Sequence, residues 1–236
     1  MSVVLEKELP RGWNQLPLSY ISEINPKPVK NSISDDLKIT FLPMKCVEEL
    51  SGKIDLSITK KFQDVKKGFT FFQDEDIIFA KITPCMENGK IAITRGLKNG
   101  IGFGSTEYHV VRLYPEFSRE FYFHYLIREE FRKKAKTQMK GTAGQLRVST
   151  DYLQNVMVPV PPLNEQKRIV AKIEESFSII EKNEKLVDSL LLQYSQIKNS
   201  ILKQAFKGKL VPQDPNDEPA QILLERIQQE RKKNGK

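Results

Sequence analysis

Val158-Pro159-Val160-Pro161-Pro162-Leu163-Asn164-Glu165-Gln166-Lys167-Arg168-Ile169-Val170 divides the chain into two different physical objects. A proline-stiffened, extended run meets the start of a long apolar-periodic helix. After the junction, apolar residues recur at Ile173, Phe177, Ile180, Val187, Leu191, Tyr194, Ile201 and Ala205, with Glu184 and Lys198 in the same heptad frame. A second stripe runs through Ile169, Ile179, Leu186, Leu190 and Ile197. Two adjacent stripes predict a helix packed over a wide face, against more than one partner helix. Asn164 is the expected N-cap, although Lys167 stands where a capping box takes Glu. Gly208 is the expected terminator, which makes the rod roughly 60 Å long. Residues 210–219 then read as a proline-rich loop and residues 220–233 as a short amphipathic helix.

Upstream, Leu9-Pro10-Arg11-Gly12-Trp13 reads as an opening turn. Residues 18–24 have helical spacing, ended by Asn25-Pro26, and residues 59–65 read as one short helix closed by Lys66-Lys67-Gly68. Residues 39–44, 76–81, 89–94, 104–113 and 156–160 are strand-like, and residues 120–139 are helical and basic toward their end. The expected fold is an α+β (α/β) recognition domain, residues 1–160, with a twisted sheet of mainly short strands. A coiled-coil-like spacer helix and a short C-terminal helix follow, in residues 161–236.

The bulk numbers agree with a globular chain. With 236 residues and 39% apolar content, it can build a real core. The formal charge of +8 favours a polyanionic partner, although the two signs are mixed. Cys46 and Cys85 show no CxxC spacing, which fits a reduced, cytoplasmic setting. Residues 1–8 carry charges where a signal peptide needs an apolar run, and no stretch has the length of a membrane span.

No active site emerges from the motifs. Gly100-Ile101-Gly102-Phe103-Gly104 invites a phosphate-loop reading, but it lacks the Gly-Lys-Ser/Thr sequence and leads into a strand. Asp74-Glu75-Asp76 with Lys81 could suggest a metal-dependent nuclease, yet consecutive acids on a strand point different ways. His109 and His124 lie near no nucleophile, and no metal site is expected. The basic signal is better. Arg128, Arg132, Lys133, Lys134, Lys136, Lys140 and Arg147 surround a flexible loop whose Thr142 and Gln145 can donate to phosphates or base edges. Lys81, Lys90, Arg95 and Lys98 flank turns between strands and could line a second wall.

Six segments, in order, resemble a known family. They are Leu9-Pro-Arg-Gly-Trp13, Phe79-Ala-Lys-Ile-Thr-Pro-Cys-Met-Glu-Asn-Gly-Lys90, Gly102-Phe-Gly-Ser-Thr-Glu107, Gly141-Thr-Ala-Gly-Gln145, Pro161-Pro-Leu-Asn-Glu-Gln166, and the tail from Ile201 to Pro215. Nearly the whole chain resembles one half of the specificity subunit of a type I restriction-modification enzyme. The resemblance implies a target-recognition domain on a spacer helix, with no catalysis of its own. Usual members carry this unit twice, with their two spacer helices antiparallel. Here it occurs once, which implies a homodimer or pairing with another half-subunit. The dimerisation surface would be Ile173, Phe177, Ile180, Val187, Leu191, Tyr194 and Ile201. The implied partners are double-stranded DNA, a methylation subunit and a restriction subunit. The cofactors S-adenosylmethionine and ATP with Mg would belong to those partner subunits and not to this chain. The rival readings are a stand-alone DNA-modifying or DNA-cleaving enzyme and a coiled-coil adaptor without DNA binding.

Overall fold

A computed structural model describes residues 9–28, 33–142 and 144–234. Residues 1–8, read above for a leader, and Ala143 of the Gly141–Gln145 loop lie outside the described residues.

Among the described residues, ten strands form three sheets. Strand β1 (Asn14–Pro17) pairs antiparallel with β10 (Met157–Val160), so the two ends of the first unit close on one ribbon. A four-stranded antiparallel sheet has the order β2 (Ser22–Ile24), β9 (Tyr108–Leu113), β6 (Ile77–Ala80), β7 (Ile91–Ile93). A second sheet has the order β4 (Thr59–Lys61), β3 (Lys38–Leu42), β8 (Ile101–Gly104), β5 (Thr70–Gln73). In that sheet β3 and β8 run parallel, and the other pairings are antiparallel.

Strand alternation explains the layers. Neighbouring residues on a strand face opposite sides. Ile77 and Val111 therefore enter one core, with Phe121, Tyr122, Leu126, Phe131 and Leu153 from the helices. Ile78 and Val110 enter a second core with Leu42, Phe72, Ala92 and Tyr108, which joins the two sheets. Strand β6 is buried along its whole length, which is why it reads as an unbroken apolar run. A third cluster, Ile39, Phe41, Val65, Phe71 and Phe103, lies beneath the single turn of α1 (Phe62–Val65). This is the expected α+β class.

Several local expectations give way to tertiary context. Residues 18–24 form a 3-10 turn (Leu18–Tyr20) and then β2, not one helix. The turn still places Leu18 and Ile21 in the first core, because three residues per turn also satisfies that spacing. Residues 59–61 are a strand, and only Phe62–Val65 is helical. The expected helix over 120–139 is two helices, α2 (Arg119–Ile127) and α3 (Glu129–Thr137). They are separated by extended Arg128, whose guanidinium lies 4.2 Å from the Tyr125 ring centre. Glu129 and Glu130 fall in the first turn of α3, where a helix favours negative charge. A further helix, α4 (Thr150–Asn155), is capped by the Ser149 hydroxyl, which accepts from the Tyr152 N–H at 3.1 Å.

Helix α5 spans Leu163–Ala205, 43 residues or about 65 Å. Asn164 does not cap it. The Pro162 carbonyl already accepts from the Gln166 N–H at 3.0 Å, which places Asn164 inside the first turn. Gly208 does end it: at φ +66, its N–H donates to Ala205 and that of Lys209 donates to Gln204. That pair of bonds is a Schellman cap. Helix α6 covers Ala220–Asn234. Contacts divide the chain into two compact units, one ending at Glu174 and one starting at Glu175. The first turns of α5 thus belong to the first unit. There the Glu165 carboxylate accepts from the Trp13 indole N–H at 3.0 Å. Buried Gln166 accepts from the Ser118 N–H at 3.0 Å and donates to the Pro161 carbonyl at 2.8 Å.

Candidate nucleic-acid interface

The loop expected to touch DNA is a built hairpin. Lys140 and Arg147 exchange backbone hydrogen bonds at 3.0 and 2.9 Å, and the Gln145 N–H closes the tip on the Thr142 carbonyl at 2.9 Å. Gly141, at φ +137, leaves no room for a Cβ, which would sit 2.7 Å from the Gln145 carbonyl. The hairpin is held against the turn after β6. There the Thr83 N–H donates to the Leu146 carbonyl at 3.0 Å, and the Leu146 N–H donates to the Thr83 hydroxyl at 3.2 Å. Thr142 and Gln145 stand exposed at the tip.

The base of the hairpin carries a charge cluster. Arg147 donates twice to Glu107, at 2.9 and 2.8 Å, and once to the Gln145 carbonyl at 3.0 Å. These bonds hold the Glu107 carboxyl below its ordinary range. Lys81 lies half-buried beside the pair. Burial lowers its pKa, Glu107 opposes that shift, and Arg147 adds to it. Sequence reasoning missed Glu107, because a partner 40 residues from Arg147 leaves no local signal.

The other expected cations differ sharply in availability. Lys90 reaches inward, and its ammonium donates to the Val47 carbonyl at 2.9 Å and to that of Met44 at 3.4 Å. Arg95 binds Glu75 at 2.8 Å and also Glu120. Arg132 donates to the carbonyls of Ile127 and Glu87. Lys136 pairs with Glu87 at 2.6 Å, and Lys133 with Glu129 at 2.7 Å one turn away. Lys98, Lys134 and Lys140 are exposed and enter no ion pair among the described residues. The structure thus brings Lys81, Lys140, Thr142, Gln145 and Arg147 together, and it uses Lys90, Arg95 and Arg132 to hold loops in place.

The residues weighed for catalysis have structural partners. Asp74 accepts from the Leu97 N–H at 3.0 Å. Glu75 faces Arg95 and Arg119. Asp76 is buried and takes a two-bond contact from Arg112, both bonds at 2.8 Å. Three consecutive acids do three separate structural jobs. Among the described residues no group of His, Cys, Asp and Glu could hold a metal ion. Gly102 and Gly104 lie within β8 and not in a turn before it. A Cβ on Gly102 would lie 2.1 Å from the Phe72 ring, and one on Gly104 would lie 2.3 Å from the Leu42 carbonyl. They are glycines because the sheet packs against them, not because a phosphate does. His109 is buried, with one ring nitrogen 2.8 Å from the Val148 carbonyl and the other 3.1 Å from the Asn25 amide.

Beyond Glu174 the apolar side chains of α5 lie in the open. Phe177, Ile180, Val187, Leu191, Tyr194 and Ile201 are each about half exposed or more, as are Ile179, Leu186, Leu190 and Ile197. Ile173 instead lines a cleft of about 220 Å³ within the first unit, with Trp13, Phe121, Tyr125 and Ile169.

Comparison with known proteins gives a consistent set of relatives. A family model described as type I restriction modification DNA specificity domain matches residues 10–206. The type I restriction enzyme EcoAI specificity subunit of Escherichia coli is 40% identical across 95% of this chain. The EcoEI specificity subunit of the same organism is 37% identical, also across 95%. The chain spans about half the length of these curated relatives, 45% and 44%. A crystal structure of the HsdS subunit from Thermoanaerobacter tengcongensis superposes with a TM-score of 0.63 at 24% identity, covering 91% of this chain and 53% of that one. A structure described under complex assembly and conformational transition of the type I R-M system gives 0.61 at 26% identity, covering 90% and 53%.

Proposed function

The chain belongs to the type I restriction-modification DNA specificity family, and from that premise we propose that it is a DNA-reading subunit that works as a pair. One observation carries the reading. The family match spans residues 10–206, which takes in most of the first unit and the whole of the long helix. Recognition domain and rod are thus matched together, and the exposed apolar stripes of that rod support a pair.

The first unit reads bases from loops such as the 140–147 hairpin, where Thr142 and Gln145 supply donors and acceptors. Exposed Lys98, Lys134 and Lys140 hold phosphates, which position the duplex but carry no direct base information. Arg147, Arg132, Lys90 and Arg95 set loop geometry. The exposed stripes of α5 serve association, one against a second copy or another half-subunit and the other against a methylation subunit. Residues 1–160 are the recognition domain and 161–236 the spacer and docking region. The chain performs no chemistry itself. S-adenosylmethionine belongs to the methylation subunit and ATP with Mg to a restriction subunit. A cytoplasmic location fits these partners, and among the described residues no helix is long and apolar enough to cross a membrane.

Duplex binding of the purified chain across a salt series tests this reading. Neutralised phosphates release counterions, so affinity should fall steeply and linearly on logarithmic axes. Lys134→Gln with Lys140→Gln should weaken binding to all duplexes alike and leave the preferred sequence unchanged. A chain with no measurable duplex affinity at low salt would overturn the function.

A further inference from the structure

We propose that the open edge of the second sheet, around Lys38, Lys60 and Lys61, is a second phosphate-binding surface for duplex DNA. This rests on the DNA-reading function above and adds a contact face outside the hairpin and the turns already assigned to it.

Sheet register sets two faces at this edge. Lys38 stands opposite Lys61 on one face of β3 and β4, and Lys60 stands opposite buried Ile39 on the other, so the edge of β4 presents lysines from both faces. All three residues of β4 are exposed, and β4 is the sheet's outermost strand. Lys98 borders β3, since its N–H donates to the Thr40 hydroxyl at 2.8 Å, and the Asn99 amide donates to the Lys38 carbonyl at 2.8 Å. An open cleft of about 550 Å³ is lined by Lys38, Thr59, Lys60, Lys61 and Asp64.

What separates this face from the 128–147 segment is how its cations are held. There Arg132 and Arg147 are committed to carbonyls or a carboxylate. Here Lys60 sits 4.0 Å from the centre of the Phe41 ring and 5.7 Å from that of Phe69. Aromatic faces fix an ammonium in place without cancelling its charge. Lys38, Lys60 and Lys98 enter no ion pair among the described residues. Lys61 does pair with Asp36 at 2.7 Å and Lys66 with Asp35 at 2.8 Å, but both pairs are exposed and open at little cost. The Thr59 hydroxyl adds a neutral donor. A shallow cleft with an ordered ammonium, further free ammonium groups and a hydroxyl fits a run of phosphates better than a compact anion. Edge strands also carry lysines simply to prevent pairing with another chain, and the test must separate the two roles.

The experiment compares the full chain with Lys38→Gln/Lys60→Gln/Lys61→Gln on a mixed-sequence duplex, by fluorescence anisotropy across a salt series. The expected result is affinity at least about tenfold lower, with the logarithmic salt slope shallower by about 2–3, since each lost phosphate contact removes about 0.9. The methylated or bound sequence should stay the same. Affinity and slope unchanged within twofold would overturn the proposal. So would unchanged affinity together with new self-association, which assigns the lysines to edge protection. If the triple variant melts early, Lys38→Glu decides, because Lys38 is exposed and outside every ion pair and ring contact described. It should lower affinity and flatten the slope by about 1, and no change would overturn the proposal. Failure of the unsubstituted chain to bind any duplex would sink the function itself, a separate outcome.

Discussion

Tyr108 and Leu191 show how differently the two parts of this chain use large side chains. Tyr108 is 1% exposed, packed between two sheets with Phe72, Ile78 and Val110 around it. Leu191 is 62% exposed on a helix whose neighbouring Leu and Ile residues are open as well. Each fully buried Leu or Ile contributes about 1.5–3 kcal/mol, so the first unit draws its stability from itself while the rod leaves most of its own ungained. Two exposed apolar stripes are the surface that the proposed pairing would cover. Substitutions in the first unit and in the rod should therefore have separate effects.

The largest effect belongs inside the first unit. Gly104→Val puts a branched side chain against the Leu42 carbonyl and the Tyr108 ring. The parallel pairing of β3 and β8 should fail, with stability lower by about 3 kcal/mol or more. The denaturant midpoint reads this directly, and an unchanged midpoint would mean that β8 does not pack as described. Leu191→Asp should act on the other side of the comparison. It should leave the melting of the first unit alone and weaken self-association by about a hundredfold, since a symmetric pair loses the buried side chain twice. Sedimentation of the unsubstituted chain as a monomer at micromolar concentration would remove the premise.

A smaller effect should follow from Glu107→Gln, which keeps shape but removes the carboxylate facing Arg147. We expect a small loss of stability and faster amide exchange at Lys140 and Arg147, with the rod unaffected. Exchange that stays as slow as before would show that the ion pair does not hold the hairpin.

The smallest effect is a pH dependence. Burial pushes the pKa of His109 down, as it does that of His124, and it outweighs the opposing bond to the Val148 carbonyl in the case of His109. The unfolded chain therefore binds protons more readily than the folded one. Stability is fully present above the ordinary imidazole value of about 6.5 and falls as pH drops through it toward the lowered folded value. Melting temperature measured from pH 7.5 down to about 5 should decline, and less so in His109→Gln. A rise on acidification would contradict the buried, neutral assignment.

The rod was the most legible part of the sequence. Its period is local, and Gly208 announces its end by backbone chemistry alone. Strand order was not legible, because β3 finds β8 far along the chain, Thr40 against Gly102, and no local pattern encodes that pairing. The break at Arg128 was hidden because Arg is a good helix former, and the break reflects a Tyr125 contact and a fresh acidic first turn. Among the candidate site residues, which ones are cations could be read directly, but which ones are free could not. Arg95 meets Glu75 and Glu120, and Arg147 meets Glu107, at separations no window spans. The six motif segments marked the family correctly. Three of them, residues 79–90, 102–107 and 141–145, turn out to lock loops and sheets together, and the charge available for a polyanion lies partly elsewhere.

In the proposed pair, one recognition unit doubled by its rod reads a symmetric site. Mapping the methylated sequences in cells that carry this chain as the sole specificity component, together with a methylation subunit, tests it most directly. The account predicts two identical half-sites in inverted orientation, with an unread gap of fixed length that shortens when residues 180–193 are deleted from the rod. An asymmetric site, or a gap that does not respond to that deletion, would contradict it.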